Sequence, residues 1–109
     1  MRTTAALIGL LLGGAANAES RCGGSIDRVQ PAQGVIASAT TAQEVALSYL
    51  KPIYGEKIMA REMPLRATLS DGVWTVVGSP PAARTFVGGL AEIKLCQRNG
   101  RVLSIIHYK

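Results

Sequence analysis

The chain has few of the residues on which metal sites and catalytic centres depend. In 109 residues there is one histidine, His107, and there are two cysteines, Cys22 and Cys96. That inventory nearly excludes a three- or four-ligand zinc site of the His/Cys type, and no cofactor motif appears. Aromatics are also scarce, at three Tyr, one Trp and one Phe, so a small core must use them sparingly. Charged residues make up only 17% and hydrophobic residues 48%, a balance that excludes a wholly disordered chain. Away from the N-terminus no apolar run approaches the roughly twenty residues of a membrane span. The length suits one domain and is too short for two. Twelve Lys and Arg against seven Asp and Glu give a formal net charge of +5.

The first eighteen residues read as a signal peptide. Arg2 supplies a positive start, Ala5 to Leu12 form a short apolar stretch, and Ala16-Asn17-Ala18 is a small-x-small cleavage site. A buried N-terminal helix would be broken by Gly13-Gly14 and would leave the Ala-x-Ala tripeptide without a role. A periplasmic or secreted location follows, and in an oxidising compartment Cys22 and Cys96 most simply form one disulfide. Free thiols, or a reactive one, are the alternatives; a nucleophilic cysteine would need His107, the single histidine, as its base. A lipid anchor on Cys22 does not fit the polar Glu19-Ser20-Arg21 before it.

Residues 19–39 lack periodicity and read as an N-terminal arm, with Val35-Ile36 as a packing anchor. Residues 40–109 read as the domain. Thr41-Ala42-Gln43-Glu44 fits a capping box at a helix start. Behind it, Ala42, Val45, Ala46, Tyr49, Leu50, Ile53 and Tyr54 fall on one stripe. Pro52 removes the bond to the Ser48 carbonyl, and Gly55 ends the helix. Two hairpins follow. Asp71-Gly72 turns the first, pairing Leu69 with Trp74 and Ala67 with Val76 on one face, and Ser70 with Val73, Thr68 with Thr75 and Arg66 with Val77 on the other. Asn99-Gly100 turns the second, predicting Ile93 opposite Ile106, Leu95 opposite Ser104, Ala91 opposite Tyr108, Cys96 opposite Leu103, Lys94 opposite Ile105 and Glu92 opposite His107. A disulfide would then draw the arm over Leu103 and Ile105. The fold class is α+β: one amphipathic helix on a curved four-stranded antiparallel sheet, of cystatin-like or reduced nuclear transport factor 2-like shape.

Chemistry is sparse. Glu92 and His107 form the one carboxylate–imidazole pair that the pattern brings together, and a cross-strand charge pair is its ordinary reading. Gly88-Gly89 precedes a strand and no helix follows it, so it reads as a bulge or tight strand entry, and no phosphate loop is formed. Arg84, Arg98 and Arg101 fall at loop tips. They lack the interleaved aromatics of a nucleic-acid surface, and Arg suits bidentate contact with the carboxylates of an acidic protein.

Taken in order, Tyr54-Gly55-Glu56, Pro64-Leu65, Asp71-Gly72-Val73-Trp74-x-Val76-x-Gly78, Gly88-Gly89, Ala91-Glu92-Ile93, Asn99-Gly100-Arg101-Val102-Leu103 and His107-Tyr108-Lys109 form a recognisable series. It resembles the nuclear transport factor 2 fold immunity proteins of bacterial polymorphic toxin systems over about residues 40 to 109. The resemblance implies a helix on a curved sheet and a protein that neutralises a cognate toxin by occlusion, with no catalytic residue and no cofactor. The chain is too short for all the helices of the parent fold, which implies a shallow pocket. Three other readings compete: a small periplasmic enzyme of the isomerase or dehydratase type using Glu92 and His107, an envelope-associated inhibitor, and a structural protein. An inhibitor of lysozymes, which are basic, would meet like charge.

Overall fold

The computed structural model describes residues 21–24, 31–81 and 88–108. The proposed signal peptide and Arg84 lie outside them. Helix α1 spans Ala39–Tyr54, a short helix α2 spans Glu56–Arg61, and strands β1 (Arg66–Ser70), β2 (Val73–Val77), β3 (Ala91–Cys96) and β4 (Val102–His107) follow. The strands form one open antiparallel sheet in the order β1-β2-β3-β4. Both helices pack on one of its faces, giving an α+β body of the kind that the sequence implied.

Helix α1 starts three residues before the expected capping box. Ser38 is its N-cap, and the Ser38 hydroxyl accepts the Thr41 N–H at 3.2 Å. Thr41 is therefore already helical. Serine is as good a cap as threonine, and the Ala39-Thr40 pair after Ser38 adds a turn that apolar spacing could not reveal. Ala42, Ala46 and Leu50 are buried, with Val45 and Tyr54 packed beside them. The expected stripe was too wide: Tyr49 and Ile53 are exposed. Gly55 closes the helix by donating its N–H to the Lys51 carbonyl, past Pro52 in the last turn. Helix α2, with Glu56 in its first turn and Arg61 in its last, matches the helix dipole at both ends and buries Met59. Sequence reading did not anticipate it.

The first hairpin has the predicted register. Asp71 (φ 50°) and Gly72 (φ 73°) form the left-handed pair of a two-residue turn whose twist suits antiparallel strands. The second hairpin departs from its prediction. Asn99-Gly100 is not a two-residue turn: Gly100 donates its N–H to the Cys96 carbonyl and Cys96 donates to that of Arg101, so the loop runs from Gln97 to Gly100. Asn99 does not adopt positive φ. Its amide instead donates to the carbonyls of Cys22 and Gly23, and its oxygen accepts the Arg101 N–H.

The longer loop shifts the register by one residue. Ala91 pairs with His107, Glu92 with Ile106, Ile93 with Ile105 and Lys94 with Ser104, and an irregularity between Lys94 and Leu95 then sets Leu95 opposite Val102. A one-residue shift moves every side chain to the other face. Ile105 therefore joins the core under the helices and is not covered by the arm, while Ile106 faces outward.

The core contains Ile36, Leu50, Met59, Leu65, Trp74, Val76, Ile93 and Leu95. The arm closes one end of it. Val35 and Ile36 donate backbone N–H groups to the carbonyls of Arg98 and Gln97, and the Trp74 indole donates to the Ile36 carbonyl at 2.8 Å. Cys22 and Cys96 form a disulfide across a separation of 74 residues.

Candidate functional site

Two places bear on function: a cleft where α2 meets the sheet, and the sheet face opposite α1 and α2. The cleft follows from the way β2 ends. Gly78 donates to the Ala91 carbonyl, after which Ser79-Pro80-Pro81 leads the chain away. No β2 carbonyl is then in place for the Ala91 N–H, and a buried amide needs an acceptor. Glu62, the C-cap of α2, provides one. Its Oε1 accepts the Ala91 N–H at 2.8 Å, and its backbone carbonyl accepts from Ser79 at 2.7 Å. The residue is only 4% exposed. The carboxylate fits because residue 78 has no side chain: a Cβ there would lie 2.2 Å from Glu62 Oε1.

The second carboxylate oxygen, Oε2, is 3.6 Å from His107 Nε2, an ion pair when the imidazole is protonated. The imidazole also stacks at a tilt on Tyr54, with ring centroids 5.1 Å apart. Around this pair lies a half-open cleft of about 160 Å³ lined by Ile58, Arg61, Glu62, Pro81, Gly88, Gly89 and His107. It has room for one side chain or a few heavy atoms.

The expected pairing of Glu92 with His107 is therefore corrected. Glu92 stands opposite Ile106, and His107 stands opposite Ala91. The shifted register puts the two groups on opposite faces of the sheet. The Glu92 carboxylate accepts a hydrogen bond from the Tyr108 hydroxyl, which holds the Tyr108 pKa above the usual 10.0; burial and the negative charge of Glu92 act in the same direction. Glu62 was missed by sequence reading because it belongs to no motif. Its one signal is the Pro80-Pro81 pair, which leaves an N–H of the next strand without its acceptor.

The candidate arginines have different surroundings. Arg98 is part of the arm's anchorage, its guanidinium donating to the carbonyls of Cys22 and Gly24. Arg101 is exposed at the start of β4.

On the other sheet face, pairing carries Thr68, Thr75, Lys94 and Ser104 into one row across all four strands. Beside it runs a second row of Arg66, Val77, Glu92 and Ile106. None of the helical residues packs there: the buried residues of α1 and α2 belong to the core on the opposite side.

A helix on a four-stranded antiparallel sheet is thus joined with a shallow cleft. Residues 41–109 match the model of the NTF2 fold immunity protein family. The chain belongs to that family. Searches among curated proteins and among solved structures returned no match. The matched segment of this immunity-family protein holds α2, all of α1 after its first two residues, all four strands and Cys96; the arm and Cys22 lie outside it. The family is one of toxin-neutralising proteins. No described helix is long and apolar enough to cross a membrane.

Proposed function

We propose that the protein is exported, loses residues 1–18, and neutralises a cognate bacterial toxin by covering it. The family match over residues 41–109 carries this reading. The Cys22–Cys96 disulfide supports an oxidising compartment such as the periplasm. Inhibition by occlusion needs a stiff surface and no turnover. The body described above suits that task, since its sheet is backed by a packed core and its loop end is cross-linked to the arm. Arg101, and Arg84 outside the described residues, remain candidates for contact with an acidic toxin surface.

The test is co-expression of the chain, with its leader, alongside the product of the adjacent reading frame. Rescue of growth and co-purification of the two proteins are expected. Continued toxicity with no complex would refute the proposal.

One observation favours an enzymatic reading of the isomerase or dehydratase type: Glu62 and His107 line a cleft together. In that case His107→Gln would abolish turnover and leave the fold intact. Under the binding reading His107→Gln still protects the cell.

A further inference from the structure

We infer that the sheet face opposite α1 and α2 takes an acidic surface of the toxin on a patch centred on Lys94; this rests on the toxin-neutralising reading above. The row Thr68–Thr75–Lys94–Ser104 crosses the sheet without a break. None of these four side chains makes a hydrogen bond to a described residue, whereas Glu62 in the cleft and Arg98 and Asn99 at the arm are hydrogen-bonded. The face therefore presents three hydroxyls and an ammonium that no described residue engages. Apolar side chains border them. Val73 and Val77 are half-buried, and Ile106 is 42% exposed. A protein contact patch combines apolar surface with hydrogen-bonding groups, and this face offers both.

Charge selects the occupant. Arg66 and Lys94 both point from this face, and neither forms an ion pair with a described residue. The one acid on the face, Glu92, is 6% exposed and has the Tyr108 hydroxyl as its partner. The face is thus positive on a chain that is itself basic, with net charge +5. A second copy is a poor occupant, because a two-fold contact would set this positive surface against itself. An acidic protein surface meets both Lys94 and Arg66 and receives the hydroxyls.

The experiment measures binding of the chain, secreted from its own gene, to the catalytically inactivated product of the adjacent reading frame. The double variant Arg66→Glu with Lys94→Glu should bind on the order of 100-fold more weakly and lose the salt dependence of its association rate. Lys94→Gln, a milder change, should weaken binding about 10-fold. Lys57→Glu, an exposed charge reversal on α2, should bind like the wild type. Matching circular dichroism and melting curves establish that each variant is folded. If the wild type binds and the Lys94 variants bind equally well, the face assignment is overturned and the toxin reading stands. If the wild type does not bind, the toxin reading itself is overturned. Concentration-dependent dimerisation that Thr75→Arg abolishes would give the face to a second copy and also overturn the assignment.

Discussion

A carboxylate as deeply buried as Glu62 is costly to desolvate unless its oxygens find donors. Here one oxygen takes a strand amide and the other faces an imidazole, so the side chain acts as a pin between α2, β3 and β4. The absence of a side chain at residue 78 is a condition of that arrangement. Gly78→Ala should lower stability by about 1–3 kcal/mol, as crowding a packed site does, measured by chemical denaturation. The same change in a Glu62→Ala background should cost much less, because the group it collides with is gone. Tyr108 offers a second check. Its hydroxyl is stabilised in the protonated form by Glu92, so its pKa in the folded chain lies above that in the unfolded chain. The associated stability is complete below the ordinary tyrosine value and is lost as pH rises through the higher folded value. Phenolate absorbance, read in a background with Tyr49→Phe and Tyr54→Phe, should show Tyr108 titrating late. Glu92→Gln should bring it back towards 10.0.

Among the elements, local chemistry was legible where one feature decided the outcome. Asp71-Gly72 needed only two residues able to adopt positive φ, and the first hairpin closed on them in the expected register. Asn99-Gly100 carried the same signal and gave a different loop, since the Asn99 amide bonds the arm far away in sequence. Long-range demands of that kind leave no trace in a local pattern, and they displaced Glu92 from His107 by a single register step. The helix start shows a milder form of the same competition between two adequate caps. Ser38→Ala should cost about 1 kcal/mol because it removes the acceptor for the Thr41 N–H, whereas Thr41→Ala should change stability by a few tenths. Thermal melts of the two variants distinguish the observed cap from the one that spacing alone suggested.

For the molecule as a whole, the order of hydrophobic segments and turns was enough to give the fold class, and the ordered motif series was enough to give the family. The cleft was not legible, because it forms where a short helix, a strand end and a proline-directed exit converge. Stability at this scale leans on the cross-link. In the chain-entropy account, a bridge spanning 74 residues restricts the unfolded chain by about 4 kcal/mol. Cys22→Ser paired with Cys96→Ser should therefore shift the denaturation midpoint strongly downward, and dithiothreitol should do the same to the wild type. The wide spacing of the two cysteines also bears on biosynthesis. Cys22 is threaded early and meets its mate only after both helices and nearly three strands have followed. A chain stalled before that point keeps a solitary thiol, so covalent closure marks the polypeptides that were delivered through the end of their third strand.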